Sequence, residues 1–252
     1  MKKFLKNRKV QLLLLITVIL AGISIFGYYT YQQHHFDQIA AEKQQAAIDE
    51  MEKDSEKNGN KSKTELSKSK YINRKNPSTK DPSTKVKPKT IDKSRVDYSG
   101  KDVEPLTLSD MEKVNAIKVV QSLGVGMIEI PSIGMKLPIL EGVSQSNLSV
   151  GAGTMKANQE LGKRNFSLAG HYMTDAGLLF GGIQNVKKGG FIQITYQSEQ
   201  VTYKVTRTQS ISKNDGYVTF DSEGDGLLTL ITCDHAVPGT NNRFMVRAEL
   251  IK

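Results

Sequence analysis

Cysteine is almost missing from this chain of 252 residues, which has only Cys233. That scarcity excludes an intramolecular disulfide and any zinc or iron–sulfur site built from several thiolates, leaving a buried thiol, an intermolecular bridge or a reactive thiol. Histidine is nearly as scarce: His34, His35, His171 and His235 are the four in the chain. No acidic residue precedes Asp37, whereas Lys2, Lys3, Lys6, Arg8 and Lys9 crowd the first nine positions. What is present in quantity is apolar residue, 38% of the chain, enough to fill the core of one catalytic domain and to exclude disorder along the whole length. The formal charge of +9 suggests an anionic partner on totals alone, but it divides unevenly: +4 in residues 1–40, +5 in residues 41–100 and zero in residues 101–252. The excess therefore belongs to a membrane flank and a spacer, and no nucleic-acid surface is expected.

After the basic tail of residues 1–9, Val10 to Tyr29 runs twenty residues with no group charged at neutral pH. Twenty helical residues span about 30 Å, the hydrocarbon thickness of a bilayer. A cleaved signal peptide is the competing reading, but its apolar stretch is usually about 7–15 residues followed by a small-residue cleavage site. Tyr28, Tyr29 and Tyr31 supply an interfacial aromatic belt. The expectation is an uncleaved transmembrane anchor over residues 10–31, with the N-terminus cytoplasmic and the remainder outside by the positive-inside rule.

Residues 32–105 offer little to build a core. The stretch Asp37 to Lys57 has a faint apolar stripe (Ile39, Ile48, Met51), compatible with a frayed helix that buries little. Beyond it a unit repeats in tandem, Asn76-Pro-Ser-Thr-Lys80 and Asp81-Pro-Ser-Thr-Lys85, so this region reads as an extended, largely disordered stalk. Ordered sequence is expected over residues 106–252. Ser109-Asp-Met-Glu112 reads as a capping box opening a helix that carries Met111, Val114 and Ile117 and stops at Gly124. Residues 191–196 and 201–206 alternate as a hairpin, residues 166–170, 227–233 and 244–250 are further strands, and Leu178 to Val186 is a short helix. Many short strands with Gly-rich turns predict a mainly β domain, a closed or nearly closed antiparallel barrel.

Cys233 ends the strand 227–233, sharing a face with Thr229 and Ile231, and a polar loop follows it. A strand end opening into a loop is where a rigid scaffold presents a reactive side chain. The competing reading is a small buried hydrophobe. A cysteine nucleophile needs a base or cation beside it, usually an imidazole. His34 and His35 lie beside the membrane, and His235 is too close in sequence to aim at the thiol readily. His171, after an apolar strand and Gly170, is favoured on physical grounds. Arg243 begins the last strand, directly after the loop that follows Cys233, and would lie near the thiol if the two strands are neighbours.

Taken together these residues resemble the class A sortases, membrane-anchored cysteine transpeptidases of Gram-positive bacteria. The resemblance spans roughly Gly126 to Leu250 and rests on Thr229-Leu-Ile-Thr-Cys233, Leu168-Ala-Gly-His171 with Met173, and Arg243 with Val246. Ile130-Pro-Ser-Ile133, Leu137-Pro-Ile139, Gly151-Ala-Gly-Thr154 and Leu178-Leu-Phe180 support it. It implies an eight-stranded sortase-like barrel, Cys233 as nucleophile, His171 as general acid/base and Arg243 as the oxyanion or substrate-positioning group. It also implies attack on the Thr–Gly bond of a Leu-Pro-x-Thr-Gly sorting signal and transfer of the surface protein to a peptidoglycan-precursor amine. Ala169, Ile231 and Thr232 are the implied substrate-binding residues, the first two lining the groove. One calcium-stimulated member has acidic ligands where this sequence has Lys156, Gln159 and Lys163, so no metal or other cofactor is expected. The chain ends two residues after Leu250 and shows no Asp-Pro-aromatic lid, which favours housekeeping anchoring over pilus assembly. An exported cysteine hydrolase and a non-catalytic wall-binding module are the rival functions.

Overall fold

The structure, a computed structural model, describes residues 8–57, 91–221, 224, 226–235 and 239–251. Lys2, Lys3, Lys6, the tandem repeats of residues 76–85 and Glu223 lie outside them. The chain forms two compact units, divided between Ile39 and Ala40. Helix α1 spans Arg8–Lys57. In the first unit it carries an apolar stretch long enough to cross a membrane, with Leu12 through Phe26 largely exposed.

Eight strands build the second unit: β1 (Gly124–Ile130), β2 (Met135–Leu140), β3 (Ala152–Thr154), β4 (Asn165–Ala169), β5 (Phe191–Tyr196), β6 (Glu199–Ser212), β7 (Leu227–Cys233) and β8 (Asn242–Leu250). They close in the order β1-β2-β3-β4-β7-β8-β6-β5, so the expected eight-stranded barrel is what the chain forms. The ladders are mixed rather than all antiparallel: β2–β3 and β4–β7 are parallel. A parallel pair needs a long crossover. The chain supplies one through helix α4 (Gln145–Leu148) between β2 and β3, and another through β5 and β6 between β4 and β7.

Alternation fills the interior. Leu168, Leu230 and Val246 share one register level of β4, β7 and β8; Phe166, Leu228 and Ala248 share the next, and all six are fully buried. Each larger side chain so buried contributes about 1.5–3 kcal/mol relative to exposure. The Phe166 and Tyr196 rings meet edge to face at 5.0 Å. The hairpin β5–β6 turns on Gln197 and Ser198, both at positive φ (49° and 74°). This makes a tighter turn than the four-residue connection read from sequence, because a two-residue loop with both centres left-handed matches the strand twist. A Cβ on Gly126 would sit 1.9 Å from the Thr195 carbonyl oxygen, so only glycine lets β1 approach β5 there.

One polar contact in the interior is made by Glu141, 1% exposed just after β2. It accepts hydrogen bonds from the Tyr98 hydroxyl (2.7 Å), the Tyr196 hydroxyl (3.2 Å) and Thr154 (3.3 Å). Burial, reinforced by the Glu141 carboxylate, pushes both phenols well above the usual tyrosine range. Through Tyr98, residues of the sequence expected to be stalk are tied to the barrel.

Two further differences from the sequence reading concern the segment before β1. The helix expected after Ser109 is two helices, α2 (Leu108–Lys113) and α3 (Ala116–Leu123). Thr107 and Asp110 form the capping box of α2, and Asn115 caps α3, so the chain restarts its helix instead of continuing through Val114. Secondly, α1 buries Ala47, Ile48 and Met51 against Val114, Ala116, Val120, Met127, Leu140 and Val150. The stripe looked faint because its partner is the outside of the barrel, which no local pattern reveals. Gln44 fixes this packing: its Oε1 accepts from the Leu179 N–H (2.7 Å) and its Nε2 donates to the Gly177 carbonyl (3.2 Å).

Candidate active site

The parallel register of β4 and β7 pairs Ala169 with Ile231. It persists beyond the end of β4, since the Gly170 N–H donates to the Ile231 carbonyl (3.1 Å) and the Thr232 hydroxyl donates to the Gly170 carbonyl (2.8 Å). Continued by one more residue, it sets His171 level with Cys233. A Cβ on Gly170 would come within 2.5 Å of the Phe180 ring, and the Phe180 N–H donates to the His171 carbonyl (3.0 Å). His171 is thus fixed by its neighbours on both sides. Across the next ladder Cys233 pairs directly with Arg243. The Arg243 Nη1 donates to the carbonyls of Thr240 and Asn242, each at 2.9 Å, which holds the guanidinium at the strand start.

His171 is 6% exposed and its Nε2 is buried with no protein partner. Burial pushes the imidazole down to about 4, opposed in part by the charge of Asp110 on α2. Burial also pushes the Cys233 thiol up; Arg243 opposes this and Asp234 adds to it. Near neutral pH these directions leave both the thiol and the imidazole uncharged. Such an imidazole can take the thiol proton as sulfur attacks a carbonyl and return it to a leaving amine. Sequence reasoning gave no sign of the electrostatic influence of Asp110 on His171, because Asp110 reads locally only as part of the α2 capping box.

His235 is 70% exposed, its Nε2 3.8 Å from the carboxylate of Asp234. Asp234 in turn accepts from the Thr240 hydroxyl (2.8 Å), and its carbonyl accepts from Gln184 (2.8 Å). These contacts shape the loop after β7 rather than the thiol. His34 and His35 belong to α1 in the first unit.

Ala169 and Ile231 are half-buried on the outer face of the barrel. Ile231 adjoins a cluster of Ile211, Val218 and Met245, an apolar floor next to Cys233. Thr232 faces the other way: it is 2% exposed and its hydroxyl is engaged by Gly170. The period of two puts it inside, so its part is to fix the backbone before His171 rather than to line the outer face. The 3₁₀ turn Gly216–Thr219 walls this face, pinned by the Asn165 amide, which donates to the carbonyls of Val218 and Phe220 at 2.9 Å each.

Lys156 Nζ donates to Asp221 (2.5 Å) and to the Asn165 carbonyl (2.8 Å), and Arg164 reaches the same carboxylate at 3.5 Å. These cations hold the Asp221 carboxyl below its ordinary range, Lys156 foremost. Gln159 is closed into a two-way pairing with the Ser167 backbone (2.7 and 3.0 Å), and Lys163 lies against Glu160. Among the described residues no three His, Cys, Asp or Glu side chains converge as metal ligands.

The family profile described as "Sortase domain" matches residues 128–251. Sortase A of Listeria monocytogenes is 39% identical over 153 residues, covering 60% of this chain and 68% of that protein. Sortase A of Bacillus anthracis is 33% identical over 162 residues, covering 62% and 76%. A crystal structure of the Listeria monocytogenes enzyme is 40% identical and covers 52% of this chain and 88% of that one, with a TM-score of 0.49.

Proposed function

The chain belongs to the sortase family as a class A sortase, a cysteine transpeptidase, and from this we propose that it joins surface proteins carrying a Leu-Pro-x-Thr-Gly sorting signal to an amine of the peptidoglycan precursor. The observation that supports the reading is the Cys233–Arg243 pairing, together with a β4–β7 register that runs to Ala169 and Ile231, two residues before His171 and Cys233. Cys233 attacks the carbonyl of the signal's threonine, and its proton passes to His171. The Thr–Gly bond breaks as the glycine amine takes that proton, leaving a thioacyl enzyme. The precursor amine then attacks the thioester carbonyl, gives a proton to His171 and returns the thiol, the ping-pong pattern of covalent catalysis. Arg243 steadies the oxyanion in both halves.

Ala169 and Ile231 line the apolar seat for Leu-Pro, and Thr232 acts through Gly170. No cofactor takes part; Lys156 stands where a calcium ligand would be needed, and an ammonium cannot ligate a cation. The apolar helix supports membrane anchoring. The proposed topology has residues 1–9 in the cytoplasm, residues 10–31 in the bilayer and the remainder outside, with residues 106–252 as the catalytic domain and the preceding segment adding Ala47, Ile48, Met51 and Tyr98 to its packing. Mass spectrometry of the protein with a sorting-signal peptide and an added oligoglycine or diamine tests the reading. A thioacyl adduct followed by an amine-linked product is expected. Hydrolysed product alone would make the protein a hydrolase, and an unreactive thiol would make it a binding module.

A further inference from the structure

Between His171 and Phe180 the chain leaves the barrel and returns upon itself, the Phe180 N–H closing the loop on the His171 carbonyl at 3.0 Å. Within the loop the Asp175 carboxylate accepts from the Gly177 N–H (2.7 Å), and the Asp175 carbonyl accepts from the Leu178 N–H (3.2 Å). Leu179 then takes φ 43°, in the left-handed region that residues other than glycine rarely adopt, and is 2% exposed. A backbone held in such a conformation persists because its surroundings fix it, and strain of this kind gathers at functional sites. Here the fixing group is a side chain from far upstream. Gln44 Oε1 accepts from the Leu179 N–H at 2.7 Å, and Gln44 Nε2 donates to the Gly177 carbonyl at 3.2 Å. One amide thus grips the loop twice, immediately before Phe180, whose ring stands against Gly170.

Gln44 lies outside residues 128–251, the part of the chain that the family profile matches. It sits within one turn of Ala40, Ala47 and Ile48, all buried, on the docked face of α1. Other groups seat that face independently: Lys43 Nζ donates to the Val114 carbonyl (3.0 Å), and Gln121 Nε2 donates to the Glu50 carboxylate (2.8 Å). The amide therefore reaches the loop from a support that is already fixed. We infer that Gln44 is a positioning residue of the active site: by holding Leu179 in its left-handed turn it keeps Phe180, and through Phe180 the His171 imidazole, where the proton transfers need it. The inference rests on the sortase reaction proposed above, and it makes a helix upstream of the barrel a working part of that reaction.

The test measures kcat and KM for a sorting-signal peptide with added oligoglycine, together with Tm, in the full-length protein in detergent. It compares the wild type with Gln44→Ala, Gln44→Glu and Ile48→Val. Q44A should lower kcat about tenfold and leave KM within about twofold, since a small displacement of a catalytic group is felt in the rate while the apolar floor beside Cys233 is untouched. Q44E keeps an acceptor for the Leu179 N–H and should recover most of the loss. Ile48→Val trims the same docked face within the cluster of Val114, Val120 and Leu140; it should lower Tm by about a few degrees and leave kcat unchanged. That contrast separates positioning from helix docking, which would move Tm alone. An unchanged kcat in Q44A would overturn the inference while leaving the reaction intact, and so would an equal fall in kcat in I48V or a Q44E variant as slow as Q44A. A wild type that forms no thioacyl adduct would instead strike at the reaction itself.

Discussion

Cys233 and Arg243 are direct partners across the β7–β8 ladder, which places the chain's one thiol and a guanidinium on the same outward face where one strand ends and the next begins. The relationship follows from backbone pairing, so it does not depend on a flexible side chain finding its place. It also explains the opposing influences on the thiol: burial raises it, and the guanidinium pulls it back.

Removing the sulfur should separate chemistry from folding. Cys233 is half-buried at a strand end, so Cys233→Ala should keep the fold and form no thioacyl adduct with a sorting-signal peptide. His171→Ala and Arg243→Ala should each lower kcat/KM by about a hundredfold or more, the usual worth of a general acid/base or an oxyanion donor. Intact-mass measurement after mixing with peptide checks the first, and steady-state kinetics the other two. Wild-type cleavage by the alanine variant at position 233 would refute the assignment of the nucleophile.

Gly170 gives a test of positioning. A methyl group there would press on the Phe180 ring, and Phe180 in turn holds the His171 carbonyl. Gly170→Ala should cost about 1–3 kcal/mol through overpacking and reduce kcat at least tenfold by shifting the imidazole. The companion Gly170→Ala/Phe180→Leu, which makes room, should recover more activity than the single variant. Thermal melts with kcat for both proteins decide it, and a single variant with unchanged kcat would remove the positioning argument.

Calcium should have no effect. Lys156 already supplies a cation to Asp221, and turnover should be the same with chelator as with millimolar calcium. Because the Asp221 side chain is 47% exposed, the pair contributes at most about 1 kcal/mol to stability. Lys156→Met should therefore barely move Tm, yet raise KM for peptide several-fold by loosening the loop that ends the Val218 wall. A several-fold activation of the wild type by calcium would sink this reading.

Much of the barrel was legible in the sequence because period-two alternation marks strands wherever one face is buried, as in β5, β7 and β8. Strand order was not: the parallel β4–β7 pairing depends on contacts across more than fifty intervening residues, and nothing local in Phe166-Ser-Leu-Ala specifies a neighbour. Motif and chain order single out Cys233, His171 and Arg243 as candidates, and the β7–β8 ladder pairs the first with the last. Asp110 is not singled out in this way, since its sequence context says only helix cap. The inward direction of Thr232 is legible in the alternation of β7, which separates it from Ile231 and Cys233. The Ile48 and Met51 stripe failed for the same reason as the strand order, since its meaning lies in a distant surface.

Acid sensitivity provides the last test. Burial holds the His171 imidazole at about 4 in the folded protein, against an ordinary 6.5. Between those values the unfolded chain carries a proton that the folded chain does not, so stability rises with pH across this window. It is complete above about 6.5, falls as the pH drops toward 4, and the histidine's share of the loss saturates below that. At about 1.36 kcal/mol per unit of pKa difference, that share is roughly 3 kcal/mol. Carboxylates such as Asp110 and Asp221, held low by their hydrogen bonds, also release stability in acid, so the informative quantity is the difference between the wild type and His171→Gln. Urea unfolding at about pH 7 and about pH 4.5 should show the wild type losing 2–3 kcal/mol more than the variant. Equal losses would mean that the imidazole is not buried in its neutral form, and the description of the resting pair as thiol and neutral imidazole would fall with it.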